Sequence, residues 1–84
     1  MKFYYITFRS VTFAQRGERV LSEGNIRCML MRTPKWMAEQ GCGYCLRLWT
    51  KDVTPAVTLL RSQQVVMRKI YAQRPDGQFE ELTL

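Results

Sequence analysis

The chain contains no histidine, which removes the side chain that most often acts as a general base or as a neutral metal ligand near neutral pH. Cysteine is also scarce, with three in 84 residues. An odd number of cysteines is not the disulfide framework of a small secreted protein and fits a reducing cytosol better. Reactive chemistry in this chain is therefore expected at a thiol of Cys28, Cys42 or Cys45.

Long apolar runs are missing as well. No segment approaches the roughly 18 apolar residues of a membrane span. Met1-Lys2 leads directly into strand-like sequence instead of a signal-peptide pattern. We therefore expect a cytoplasmic protein without a membrane partner.

Acidic residues are few, with seven Asp and Glu against thirteen Lys and Arg, which gives a net charge of +6. Such a charge attracts nucleic acid or an acidic protein. The basic residues are spread over the later elements instead of forming one run, and the glycine-and-aromatic signature of an RNA-recognition strand is missing. Nucleic-acid binding is disfavoured by this pattern but stays open.

The pattern of apolar residues and breakers predicts alternating strands and helices. A strand over residues 2–8 is followed by a helix that Ser10 caps and Gly24 ends. A second strand over 26–32 closes at Thr33-Pro34, and a loop over 35–43 contains one helical turn at 36–40. The remaining predictions are a third strand over 44–49, a helix capped by Thr54 with Pro55 as its first residue, and a fourth strand over 65–73.

This βαββαβ order predicts an α+β ferredoxin-like sandwich, in which an antiparallel four-stranded sheet carries two helices on one face. With 46% hydrophobic residues in 9.9 kDa, the chain is expected to form one domain over residues 1–74. Residues 75–84 begin with turn chemistry and are expected to form a tail or a fifth strand.

The segment Gly41-Cys42-Gly43-Tyr44-Cys45 enters the third strand. In the predicted topology Cys42 lies at the same sheet edge as the start of the first helix and the exit of the second strand. Arginines and a helix N-terminus both stabilise a thiolate, so Cys42 is the candidate reactive sulfur. The residues expected around it are Gly41, Gly43, Cys45, Arg9, Ser10, Arg32 and Pro34.

Cys45 is expected to be a neighbour of Cys42 on the sheet more than an equal partner. If residues 42–45 are extended, the two Cα atoms lie roughly 10 Å apart, and a disulfide needs about 7 Å or less. A single C-x-x-C also supplies only half of a zinc site, and no histidine completes it. We expect no metal site and no cofactor.

The motifs Tyr4-Tyr5-Ile6-Thr7-Phe8, Arg32-Thr33-Pro34 and Gly41-Cys42-Gly43-Tyr44-Cys45 resemble the selenium/sulfur carrier-like family of small bacterial proteins. The resemblance covers roughly residues 2–74. It implies a ferredoxin-like domain in which Cys42 holds sulfur or selenium as a persulfide or selenosulfide for transfer to a partner. At the position of Cys45 the family commonly has a small residue such as alanine or serine.

The expected function is thus a carrier more than a stand-alone enzyme, with sulfur or selenium donor and acceptor proteins as partners. The alternative is a non-catalytic basic module that binds RNA or an acidic protein through the open face of the sheet, with a homodimer as a further option. The two differ in their need for Cys42 and in their dependence on salt.

Overall fold

The computed structural model describes residues 3–34 and 43–82. Within these ranges the fold is α+β, with two helices and one five-stranded antiparallel sheet. The elements are β1 (Phe3–Phe8), α1 (Val11–Glu23), β2 (Cys28–Arg32), β3 (Tyr44–Trp49), α2 (Val53–Ser62), β4 (Ile70–Gln73) and β5 (Phe79–Leu82). The strand order is β2-β3-β1-β4-β5, so β1 and β3 are internal strands with a partner on each side.

The main core lies between the sheet and the two helices. Alternate side chains of β1 and β3 point to the same side, and Ile6, Phe8, Leu46 and Leu48 are at most 1% exposed. Both helices pack on this face through their own apolar stripes. Complete burial of one such side chain contributes roughly 1.5–3 kcal/mol, so this layer supplies most of the stabilisation of a small domain.

Helix α1 begins where the sequence predicts. Ser10 is extended and its side chain accepts a hydrogen bond from the backbone N–H of Phe13, at 3.4 Å. Gly17 lies in the middle of the helix, where glycine weakens helical structure. A side chain at this position would be crowded, because a Cβ here would lie 3.1 Å from Phe8 Cζ and 3.2 Å from Leu46 Cδ1. The glycine therefore permits the close approach of α1 to the sheet.

The end of α1 is confirmed at Gly24, but the residue with positive φ is Asn25, at 60°. Gly24 itself has φ −89°. A Cβ on Gly24 would lie 2.5 Å from Leu59 Cδ2, so a larger residue at this position would collide with α2.

Three predicted boundaries are wrong by a few residues. Helix α2 begins at Val53 after a 3₁₀ turn over Thr50–Asp52, so Thr54 is not its cap; Asp52 is the N-cap residue and makes no side-chain hydrogen bond. The second strand begins at Cys28 and not at residue 26, because the N–H of Ile26 still donates to Leu21 of α1.

The regular part of the fourth strand begins at Ile70 and not at Val65. Before it, the N–H of Arg68 donates to the Thr7 carbonyl, and the N–H of Lys69 donates to Thr7 Oγ1 at 3.0 Å. The threonine side chain takes one place in the ladder, which interrupts the pairing pattern of a regular strand.

The predicted four-stranded sheet has a fifth strand, because β5 pairs with β4 from Ile70↔Leu82 to Gln73↔Phe79. The turn before it contains Gly77 at φ 86°. The helical turn predicted over residues 36–40 lies outside the described residues.

Replacing Gly17 by alanine tests the close approach of α1 to the sheet. Helix propensity favours alanine by roughly 1 kcal/mol, whereas a methyl forced against buried Phe8 and Leu46 costs roughly 1–3 kcal/mol. We expect Gly17→Ala to lower the free energy of unfolding by about 1 kcal/mol in urea titrations. Gln15→Ala, at an exposed position of the same helix, should change it by less than about 0.5 kcal/mol. A more stable Gly17→Ala protein would contradict the packing argument.

Candidate functional site

Three strand ends meet at one edge of the sheet. The pairing places Phe8 opposite Tyr44 and Tyr44 opposite Arg32, so the exit of β1, the entry of β3 and the exit of β2 are level. One residue further on, the N–H of Thr33 donates to the Gly43 carbonyl at 2.8 Å. We call this the strand-end edge. It is the edge of the sheet at which the sequence analysis predicts Cys42.

The residues named from the sequence divide into two groups. Cys42 and Gly41 lie outside the described residues. The others follow or precede the three strand ends: Arg9 and Ser10 after β1, Arg32 and Pro34 at the exit of β2, and Gly43 and Cys45 at the entry of β3.

Positive charge gathers at the strand-end edge. Arg9 and Arg32 are exposed, and the Arg32 guanidinium carbon lies 5.5 Å from the centre of the Tyr44 ring. Helix α1 starts here without an acidic residue in its first turn, so the partial positive charge of its N-terminus is not offset by its own side chains. An anion at this edge is stabilised by both sources of charge.

Gly43 borders open space among the described residues, since none of their atoms would lie within 4 Å of a Cβ built on it. Its carbonyl is nevertheless held by Thr33. The entry to β3 is therefore anchored on the backbone and sterically open on the side-chain side.

Cys45 points to the sheet face opposite the helices, where it is 0% exposed and forms a small buried cluster with Tyr5. Met31 and Tyr71 pack against this cluster. Burial raises the pKa of its thiol, and the Thr33 hydroxyl and the Arg47 charge lower it by less. Thr33 Oγ1 is itself buried and forms no hydrogen bond of normal geometry with a described residue. Its contact with the sulfur is thus poorly aligned, and burial dominates.

Cys28 lies on the other face, at the start of β2. Burial raises the pKa of its thiol from the ordinary 9.0 to about 11, and the negative charge of Glu18 adds to the increase. Both described cysteines are therefore protonated at neutral pH, and a protonated thiol is a poor nucleophile.

A model of the family described as "Putative Se/S carrier protein-like" matches residues 3–72. The chain belongs to this family. The match runs from the first residue of β1 into β4 and spans all three cysteines. No curated protein and no solved structure matches the chain.

Two further observations concern metals and membranes. Within residues 3–34 and 43–82 of this Se/S carrier-like protein, no group of three or more cysteine and carboxylate side chains is arranged to hold a metal ion. Neither of the helices α1 and α2 has the length and apolar character to cross a membrane.

Sequence reasoning missed the relation of Thr33 to Cys45 in this carrier-like protein. It treated Thr33 as part of a Thr-Pro turn, but the pairing of β2 with β3 brings it diagonally beside Cys45 on the same face. The sequence contains one indication of this relation. Thr33 follows Met31 by two residues, so the two side chains lie on the same face of the strand, and the pairing then places Met31 opposite Cys45.

The shifted pKa of Cys28 can be tested by alkylation at increasing pH, with each site read by peptide mass. A shift of two units lowers the thiolate fraction at pH 8 about a hundredfold, so Cys28 should react about a hundredfold more slowly than a thiol of pKa 9.0. Its rate should rise until about pH 11. Glu18→Gln should move that midpoint down only in part, because burial is the larger cause. A plateau below pH 9 would contradict the assignment.

The buried hydroxyl of Thr33 leads to a second test. An unpartnered buried polar atom costs roughly 1–3 kcal/mol, and valine has the same shape without the hydroxyl. We expect Thr33→Val to raise the free energy of unfolding by about 1 kcal/mol and to raise the pKa of Cys45 further, since one favourable contact of the thiolate is lost. Thr58→Val, at an exposed position of α2, is the matched control. A destabilised Thr33→Val protein would show that the hydroxyl has a strong partner.

Proposed function

We propose that this protein carries sulfur or selenium on Cys42, as a persulfide or selenosulfide, and passes it to a partner protein. One observation supports the choice of residue above the others. In a family named for sulfur and selenium carriage, two of the three thiols of this chain are held protonated by burial, which leaves Cys42 as the thiol to do the chemistry.

The electrostatics of the strand-end edge support a thiolate at Cys42. This residue directly precedes Gly43, whose carbonyl is hydrogen-bonded to Thr33 between Arg32 and Pro34. Arg9, Arg32 and the N-terminus of α1 belong to the same edge. Arginine and helix N-termini lower the pKa of a thiol to roughly 3.5–7.5, from about 8.5 when free.

The proposed transfer of sulfur needs no external oxidant or reductant. The Cys42 thiolate attacks the terminal sulfur of a donor persulfide, a new S–S bond forms at Cys42, and the donor cysteine leaves as a thiolate. An acceptor thiolate then attacks the terminal sulfur of the Cys42 persulfide, and Cys42 leaves as the thiolate. For selenium, the Cys42 thiolate attacks the selenium of a selenotrisulfide, and one of its two thiols leaves as a thiolate. A second small-molecule thiolate, such as the one used to reduce selenite, then attacks the sulfur that remains on selenium. It forms a disulfide with that sulfur and leaves selenium on Cys42 as the selenosulfide.

In this proposal Cys45 is not an obligatory second thiol. It is fully buried with a raised pKa, and it packs between residues of β1 and β2. Its role is that of a small apolar side chain beneath the open face of the sheet.

We further infer that the domain is of the ferredoxin-like class, with β5 as an addition at one edge. The order of the first four strands, β2-β3-β1-β4, and the packing of both helices on one face support this assignment.

The carrier function can be tested by loading the reduced protein with a persulfide donor, or with selenite and thiol, and measuring intact mass. We expect the wild-type chain to gain one sulfur or one selenium adduct, and the adduct to vanish on treatment with reductant. Cys42→Ser should lose at least nine tenths of the adduct, because the two remaining thiols are mainly protonated.

Cys28→Ala and Cys45→Ala serve as matched controls and should load like the wild type. Equal loading of Cys42→Ser, or no adduct on the wild-type protein, would exclude Cys42 as the carrier. Loss of loading in Cys45→Ala with an unchanged circular dichroism spectrum would instead make Cys45 part of the reaction.

A further inference from the structure

A cluster of aromatic, thioether and guanidinium groups lies on the sheet face opposite the helices. The Arg47 guanidinium carbon is 4.4 Å from the centre of the Phe3 ring, and Arg47 Nη2 is 3.5 Å from Met29 Sδ. The Phe3 and Trp49 rings are 4.8 Å apart. We call Phe3, Met29, Arg47 and Trp49 the Arg47 patch; they come from β1, β2 and β3.

Arg47 has unused capacity for hydrogen bonds. A guanidinium carries several N–H donors in a planar fork that fits a carboxylate. Its hydrogen bond in the patch goes to a thioether sulfur, a weak acceptor, and the ion pairs seen in the described residues involve Lys69 and Arg74 instead. Its aromatic and thioether neighbours hold it in place without neutralising it.

The patch adjoins a strand with a free edge. Within residues 3–34 and 43–82, β2 pairs with β3 alone. Met29, beside Arg47 in the register, is 50% exposed although it is large and apolar. An open groove of about 980 Å³ runs along the N-terminal end of β2, and all four residues of the Arg47 patch line it. An unpaired edge beside exposed apolar side chains is the surface on which an extended segment adds as a further strand.

We propose that the edge of β2 binds an extended acidic segment of a partner protein, which pairs with Cys28–Arg32 through its backbone and places a carboxylate on Arg47. A strand added to β2 lies two spacings of about 4.8 Å from β3, so roughly 10 Å separates the backbone of Arg47 from that of the segment. An arginine and a glutamate on the same face, reaching over Met29, bridge this distance.

The charges select this occupant. The chain has a net charge of +6, so two copies repel each other and an acidic partner is attracted. The groove is lined by three arginines and two glutamates: Arg19, Arg27, Arg47, Glu18 and Glu23. Arg19 and both glutamates belong to α1, so the charged residues on the strand side of the groove are Arg27 and Arg47. The opposite sheet edge, β5, carries Glu80 and Glu81 and does not suit an acidic segment. A peptide strand also forms hydrogen bonds with the backbone N–H and C=O groups on the free side of β2, in the regular pattern of a sheet, which a nucleic acid does not.

The docking surface goes beyond carriage by Cys42 and does not depend on it. The test uses the full reduced chain and a labelled, end-blocked peptide of sequence Asp-Thr-Val-Glu-Val-Thr-Asp, with binding measured by fluorescence anisotropy. We expect binding that Arg47→Gln weakens at least about tenfold, the loss expected for a hydrogen bond to a charged group. Arg74→Gln, the same change of charge in the β4–β5 turn, should change it less than twofold.

Backbone pairing has its own readout. Amide exchange at Cys28–Arg32 should slow when the peptide binds, and a peptide with alternate N-methyl groups should lose binding. Arg47→Lys, which keeps the charge without the planar fork, should recover only part of the affinity. Each variant is used only if its thermal midpoint matches the wild type to within a few degrees.

Several results would overturn the proposal. These are an affinity unchanged by Arg47→Gln, protection of β2 amides that grows with protein concentration in the absence of peptide, or tighter binding of a single-stranded RNA oligonucleotide to the same patch. The second result would make another copy of the chain the occupant, and the third a nucleic acid. Because Cys42→Ser leaves this surface intact, failure of peptide binding and failure of sulfur loading are distinguishable.

Discussion

The pairing of β3 with a strand on each side is the constraint on which the rest of this structure depends. It directs Leu46 and Leu48 into the core against the helices, and Cys45 and Arg47 to the opposite face. Because side chains alternate with a period of two, a slip of one residue would exchange these sets, bury a guanidinium and expose two leucines. The close packing of Gly17 against Phe8 and Leu46 fixes the same register from the helix side.

That register also separates the three cysteines. The side chains of Cys28 and Cys45 lie on opposite faces of the sheet, and burial keeps both in the protonated thiol form. Cys42 precedes Gly43 in the sequence, and the described start of β3 lies at the strand-end edge with Arg9, Arg32 and the start of α1. A single fold thus suppresses the reactivity of two sulfurs, and in the proposed function it leaves the third for transfer. The model of the Se/S carrier-like family covers residues 3–72 and therefore all three cysteines.

The two proposed surfaces share β2. Its exit contributes Arg32 and Thr33 to the strand-end edge, and its free side forms the proposed docking edge beside the Arg47 patch. Met29 and Thr33 are four residues apart, or about 13 Å along a strand. A partner segment paired with Cys28–Arg32 therefore ends beside the strand-end edge, to which Arg32 belongs. In this arrangement the binding of a donor or acceptor raises the local concentration of its thiol at the proposed site of transfer.

The sequence alone determined the order of strands and helices, the cap at Ser10, the end of α1 at Gly24 and the bounds of β3, because these depend on local patterning and caps. It also led to the family, through short motifs around Cys42. It misplaced the start of α2, where a 3₁₀ turn precedes Val53, and the start of β4, where the Thr7 side chain enters the ladder. The upward shift of the Cys28 and Cys45 pKa, the lack of a hydrogen-bond partner for the Thr33 hydroxyl among the described residues, and the Arg47 patch were decided by tertiary structure only. Each of them arises where the fold brings different elements together, and burial and charge at such contacts depend on strand register and helix packing, which no local pattern records.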